Sequence, residues 1–370
     1  MYIAVGADIG LVLVIIALSE LIRRLRKAKW VAERASNEKA EFLAKMCQEI
    51  QTPMVGIIGM TNLLFETKLS EQQRAFADVV QNSANSLMEL LNNAMVHTRL
   101  AEAPIQLEQV DFDLHSLLED AVAHFAPQAM RKGIEIASVI PADVPTVICG
   151  DPVRLQQALS TLLSNAVKFS DQGEVSLAAK LVGEEKGGVI LNFEVIDTGV
   201  GISEAEHGNV LQAFSRTATA NHAGTRLGLP ICRQIVSAAG GSLNFHSFPG
   251  VGSTFWVVMK FGHARVPMPA IPVDPAVKGK VVKIDVQSAV LQRSLLNYCV
   301  AMGLQPAANQ TAPADLVIVD SDSKGQSGPR IVISAEPTLD DDYVTKPVRY
   351  ADLLRAVAGA LARENVSKCS

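Results

Sequence analysis

A chain of 370 residues is long enough for two or three domains with cores of their own. With 48% hydrophobic residues, 5% aromatics and a formal charge of −5, it reads as an ordered, aliphatic-cored protein without the basic footprint of a nucleic-acid binder. Its five cysteines (Cys47, Cys149, Cys232, Cys299, Cys369) are odd in number and form no C-x-x-C pair, which argues against a disulfide framework or zinc site and for a reducing compartment.

Residues 1–22 are dominated by Ile, Leu, Val and Ala, and Arg23, Arg24, Arg26, Lys27 and Lys29 follow at once. Apolar first and cationic second predicts a single-pass, N-out and C-in anchor in the inner membrane, with the bulk of the chain cytoplasmic. A cleavable signal peptide would carry its charges first. The competing expectation is a buried or interfacial helix, because Asp8 and Glu20 leave only Ile9 to Ser19 free of charge. Spanning hydrocarbon takes about 20 residues.

Residues 23–35 read as a helical linker. From Glu41, the residues Phe42, Leu43, Met46, Ile50, Met54, Ile57, Ile58, Leu63 and Leu64 recur at helical spacing. A break at Glu66–Leu69 and a cap at Ser70 introduce a second helix through Phe76, Val79, Val80, Leu87, Leu90, Leu91 and Met95. Two apolar stripes over 36–103 with no other core to cover them predict a dimeric four-helix bundle.

After Asp111 the texture turns to mixed α/β. Helices are expected over Leu114–Met130 and Asp151–Phe169, and strands over Ile134–Ile140, Glu174–Leu181 and Val189–Ile196, the last two joined by a turn at Gly183–Gly188. A further helix to Ala239 and a hairpin ending near Met259 follow. Residues 263–277 hold four prolines and read as a semi-extended linker. Val281–Ile284, Leu316–Val319 and Ile331–Ile333 are short apolar runs suited to buried parallel strands.

The most specific signal is a set of four motifs in order: Asn165-Ala-Val-Lys168-Phe, Asp197-Thr-Gly-Val-Gly201, Gly224-Thr-Arg-Leu-Gly228-Leu and Pro249-Gly-Val-Gly252-Ser-Thr-Phe. Together they resemble the ATP-binding domain of sensor histidine kinases, over residues 104–262. The resemblance implies ATP with Mg²⁺ as cofactors. It makes Asp197 the acceptor of the adenine amino group and Asn165 a Mg²⁺ ligand, with Lys168 a cation for the phosphates. Gly199 and Gly201 would admit the base, and Thr225 and Gly228 would cradle the triphosphate at a helix N-terminus. Thr161, Ala223 and Arg226 depart from the pattern, and the lid between Phe214 and Gly224 is short. A side chain at Arg226 either blocks the approach of the backbone to phosphate or binds phosphate through its guanidinium.

Cys47-Gln48-Glu49-Ile50-Gln51-Thr52-Pro53 resembles the phosphoacceptor helix of the same family, where Ser-His-Glu-Ile-Arg-Thr-Pro is expected. Gln48 takes the histidine position. A carboxamide nitrogen is no nucleophile, because its lone pair is delocalised into the carbonyl, so Glu49 has no imidazole to activate. His97, His115 and His124 carry no such motif. Thr52 survives, and in the family this position orients the water that hydrolyses a receiver's aspartyl phosphate.

Residues 278–365 resemble a receiver domain, with Asp320 at the phosphoacceptor position, Ser334 ending the next strand, Lys346-Pro347 at the lysine corner and Asp285 as one of two expected acids. Val286 stands where the second acid is usual, and only nine residues separate two expected parallel strands, so the module reads as shortened and degenerate. The expected architecture is an anchor, a dimerising helical hairpin, an α/β-sandwich ATPase domain and a truncated flavodoxin-like receiver domain. Such a protein acts either as a pseudokinase partner of other two-component kinases or response regulators, or as an enzyme. As an enzyme it would be a phosphatase using Thr52 or a kinase with an unusual acceptor.

Overall fold

The computed structural model describes residues 45–102, 106–208, 210–211, 228–266, 274–308, 313–320, 329–335 and 343–369, and scattered helical positions between 20 and 34. The expected anchor over 1–22, apart from position 20, the lid with Thr225 and Arg226, and the central linker prolines lie outside the described residues. No helix among the described residues is long and apolar enough to cross a membrane. The chain divides into two compact units, Met1–Pro104 and Ile105–Ser370.

In the first unit, helix α1 is described over 45–65 and helix α2 spans Glu71–Glu102. Pro53 does not end α1, although it removes one donor from the ladder. The Thr52 hydroxyl donates to the Gln48 carbonyl one turn back, at 3.3 Å. Ser70 and Gln73 form a reciprocal cap ahead of α2, each side chain accepting the other's backbone N–H. Gln81 on α2 donates to Asn62 on α1. The pair buries Met54, Thr61, Ala77, Ala84 and Leu91, while Met60, Leu63, Phe76 and Val79 stay more than half exposed. This large apolar face has no cover within the described residues.

The second unit holds two sheets. The first is seven-stranded: β1 (Val110–Asp113), β2 (Ile134–Val139), β3 (Val147–Gly150), β4 (Gly173–Glu185), β5 (Gly188–Asp197), β6 (Ser242–Phe248) and β7 (Gly252–His263). Their order is β1-β3-β7-β5-β4-β2, with β6 paired to the free half of β7. Helices α3 (Leu114–Arg131), α4 (Pro152–Phe169) and α6 (Gly228–Ala238) cover one face, and a short α5 (Glu204–His207) follows the glycine loop. Helix α4 shows why the sequence was legible here. Asp151 caps it by accepting the Arg154 N–H at 2.9 Å, Pro152 starts it, and Leu155, Leu159, Leu162, Ala166 and Val167 form one buried stripe.

The second sheet contains β8 (Val281–Asp285), β9 (Gln305–Pro306), β10 (Leu316–Asp320), β11 (Arg330–Ser334) and β12 (Tyr343–Thr345), all parallel, in the order β9-β8-β10-β11-β12. This is the doubly wound order in which strand ends meet at a switch point. Helices α7 (Ala289–Ala301) and α8 (Tyr350–Cys369) pack on its core of Val282, Ile284, Leu316, Ile318, Ile331 and Ile333. Short strands β1, β3, β9 and β12 and helices α7 and α8 add to the elements expected from the sequence. The turn between β4 and β5 is tighter than expected, because pairing continues to Glu185 and Gly188.

Helix α7 also lies against β2, the outermost strand of the first sheet, and thereby covers an open edge. The contact is charge-complementary. Tyr298 donates its hydroxyl to Glu119 (2.8 Å) and meets Ser138 (2.8 Å), and the Tyr350 N–H also reaches Glu119 (2.9 Å). Arg349 pairs with Asp120 (2.7 Å) and Ser288 donates to Glu174 (2.7 Å). The carboxylates Glu119, Asp120 and Glu174 stand on the first sheet's side of this contact. Burial pushes Glu119 above the ordinary glutamate range, opposed by the Tyr350 N–H and the Tyr298 hydroxyl.

Candidate functional site

Asp197 is the last residue of β5 and is only 7% exposed. Its Oδ1 accepts the Gly199 N–H at 2.9 Å and the Ser253 N–H at 3.2 Å. Its Oδ2 takes no hydrogen bond from the described residues, so the carboxylate is oriented by one oxygen and offers the other. Burial raises its pKa, and the Gly199 and Ser253 amides oppose that rise. A buried carboxylate with one open oxygen is suited to an N–H donor of a flat, partly apolar ligand.

Two glycines follow in the loop after Asp197. Gly201 has φ +69°, and a Cβ there would lie 2.1 Å from the Phe248 carbonyl. A Cβ at Gly199 would lie 2.4 Å from the Phe169 carbonyl, so this loop passes the end of α4 with no room for a side chain.

Asn165 and Lys168 occupy the last turn of α4. The half-buried Asn165 amide has no hydrogen-bond partner among the described residues, and Lys168 Nζ lies 5.7 Å from the Phe169 ring centroid. Lys132 fixes this end of the helix by donating to the carbonyls of Val167 (2.8 Å), Lys168 (3.0 Å) and Ser170 (2.9 Å). Gly228 opens α6, and a Cβ there would meet Thr161 at 3.0 Å, so α4 and α6 approach closely on the same side. No cluster of three His, Cys, Asp or Glu that could hold a metal occurs among the described residues. The donor set fits Mg²⁺ only as an ion held chiefly by phosphate, with the neutral Asn165 oxygen as its protein ligand.

Gln48, Glu49 and Thr52 are exposed on α1, and Cys47 and Met54 point into the hairpin. In the second sheet, Asp285, Asp320 and Ser334 end β8, β10 and β11, and Lys346 directly follows β12, so the topology brings all four to one edge. Lys346 Nζ reaches Asp320 at 3.4 Å, an ion pair without a hydrogen bond, but it bonds Glu135 of β2 at 2.8 Å. Burial lowers the Lys346 pKa, and Glu135 and Asp320 together outweigh it and hold the ammonium above its ordinary value. Asp320 Oδ2 accepts the Gln287 N–H at 2.8 Å.

The histidine kinase-, DNA gyrase B- and HSP90-like ATPase family matches residues 150–263, and the His Kinase A (phospho-acceptor) domain matches residues 38–101. Signal transduction histidine-protein kinase BarA of Escherichia coli is 37% identical over 232 residues, 62% of this chain and 25% of that protein. Sensor histidine kinase AruS of Pseudomonas aeruginosa is 32% identical over 328 residues, 85% of this chain and 33% of that protein. Residues 38–101 and 150–263 thus carry the two domain types found in sensor histidine kinases. The chain spans a quarter to a third of the length of these two histidine kinases. The solved structure of full-length ShkA with AMPPNP superposes with a TM-score of 0.67 at 29% identity, covering 86% of this chain and 72% of that one.

Several residues that support these two sites carried no sequence signal. Lys132 and Glu135 act across strands and helices far apart in the chain. Ser253 lies in the last of the four motifs and could have been singled out from it, and Ser247 stands just before that motif.

Proposed function

We propose that this chain is a two-component signalling protein that binds ATP in the pocket of Asp197, Asn165, Lys168, Gly199, Gly201, Thr225 and Gly228 but does not autophosphorylate in the usual manner. It then acts as a pseudokinase, a dimeric regulatory partner of other two-component kinases or response regulators, tethered at the inner membrane through residues 1–22. The observation that carries this reading is Gln48, exposed at the acceptor position, whose amide nitrogen cannot attack a γ-phosphate.

Asp197 would receive the adenine amino group on its open Oδ2. Gly199 and Gly201 would let the base lie against backbone, and Lys168 would hold the phosphates. Mg²⁺, when bound, neutralises phosphate charge, with Asn165 as its protein ligand. The uncovered apolar face of α1 and α2 supports a dimer. The doubly wound strand order and the edge cluster Asp285, Asp320, Ser334 and Lys346 support a receiver-like module. Its lysine is shared with Glu135, which favours a docked over a phosphate-accepting state.

A second reading, a phosphatase acting on a receiver, is favoured by the exposed Thr52 beside the acceptor position. Incubation with labelled ATP, with and without candidate receivers, separates the two. The unmodified protein should bind ATP and incorporate no label, while Gln48→His with Arg226→Gly should gain an acid-labile, base-stable phosphoramidate. Robust labelling of the unmodified protein refutes the pseudokinase reading, and accelerated loss of label from a phosphorylated receiver supports the Thr52 reading.

A further inference from the structure

Beneath Asp197 lies a serine with no place in the four motifs. Ser247, in β6, is 4% exposed, and its hydroxyl accepts the Ile202 N–H at 2.8 Å, donates to the Gly252 carbonyl at 3.0 Å and meets the Ser253 hydroxyl at 3.0 Å. A hydroxyl has one proton and two lone pairs. With its proton on Gly252, Ser247 must accept from Ser253, and its hydrogen-bonding capacity is then full. The three partners belong to two segments: Ile202 to the loop that follows Asp197, and Gly252 and Ser253 to the first two residues of β7. Ser253 is the residue whose N–H holds Asp197 Oδ1. A second tie, Gly250 N–H to the Val200 carbonyl at 2.8 Å, joins the same loop to the turn before β7.

We infer that Ser247 is a positioning residue for nucleobase selection: it locks the loop after Asp197 to β7 and so fixes the direction of the open carboxylate oxygen. The inference deepens the reading of Asp197 as the adenine contact and rests on it. An ionised oxygen aimed at the 6-position of a purine attracts the amino group of adenine and repels the carbonyl of guanine. That discrimination is only as sharp as the carboxylate is still, since a carboxylate free to rotate can turn away from the wrong base. Ser247 touches no ligand and acts through Asp197.

The test uses the full chain with Ser247→Ala and Ser247→Thr. Without nucleotide, the Ile202 amide should exchange with solvent about tenfold faster in Ser247→Ala, the loss of one buried hydrogen bond. Amides at Val195 and Val257 should keep their rates, and Ser247→Thr should restore protection. In calorimetry, Ser247→Ala should weaken ATP about tenfold and GTP far less, narrowing the ATP-to-GTP preference about tenfold. Equal weakening of both nucleotides, or unchanged Ile202 exchange, overturns the inference. If Ser247→Ala does not fold, Ser253→Ala, which removes one of the three bonds, must still narrow the preference two- to threefold; an unchanged ratio overturns it equally. A wild-type chain that binds no nucleotide overturns the adenine reading itself, a different failure, because Ile202 exchange still reports whether the tie exists.

Discussion

Removing one hydroxyl tests the contact between the two sheets of the second unit. Tyr298 is 1% exposed, and Tyr298→Phe keeps the ring while deleting the group that bridges Glu119 and Ser138. Ser138, 2% exposed, then loses the partner of its hydroxyl, and Glu119 keeps only the Tyr350 N–H. A buried polar group left unpaired costs about 1–3 kcal/mol, so the combined loss should be roughly 3 kcal/mol. At ~2–4 °C per kcal/mol for a unit of this size, the melting temperature should fall by roughly 6–12 °C. Because burial holds Glu119 above its ordinary value, its protonated form is favoured in the docked state. Its contribution to docking is therefore present at low pH and lost as pH rises through the raised value. The Tyr298→Phe deficit should be largest at neutral pH, where the charged carboxylate most needs its donor, and should shrink toward the ordinary glutamate range. Thermal unfolding of the full chain at two pH values, in a double-mutant cycle with Glu119→Gln, measures both effects. A loss under about 1 kcal/mol, or strict additivity in the cycle, would refute the linkage.

Asp197→Asn should abolish most ATP binding yet stabilise the nucleotide-free protein by about 1 kcal/mol at neutral pH, since a raised carboxylate pKa means the site disfavours the charge. That gain should vanish as pH falls below the ordinary aspartate range, and a destabilised Asp197→Asn at pH 7 would contradict it. Lys132→Met should cost about 2 kcal/mol in denaturant unfolding by releasing three carbonyls at the end of α4, and should weaken ATP binding as well because Asn165 and Lys168 sit on that turn. Deletion of residues 1–22 should leave a dimer in light scattering, and a monomer at micromolar concentration would mean that the exposed stripe of α1 and α2 is covered in some other way. Glu135→Gln should free Lys346 for Asp320 and increase labelling of Asp320 by a small acyl phosphate, with Asp320→Asn as the control; no labelling in either would show that Asp320 cannot accept phosphate even with its lysine released.

Local chemistry made much of this protein legible from the chain alone. Period-3.6 stripes with an aspartate cap and a proline start marked α4, and glycine-rich motifs in fixed order marked the pocket, because a backbone that must pass another backbone without a side chain leaves glycine as the only choice. Reading Gln48 needed no structure, since the nucleophilicity of a side chain is a property of one residue. Short strands such as β1, β3 and β12 escaped because three or four residues carry no period, and pairing with distant strands is what makes them strands. Only the folded chain could place Ser247 under Asp197, Lys132 on the end of α4, or Lys346 between Asp320 and Glu135, which is 211 residues away in sequence. A hydrogen bond depends on position to within a few tenths of an ångström, and a sequence fixes position only along the chain, not across it.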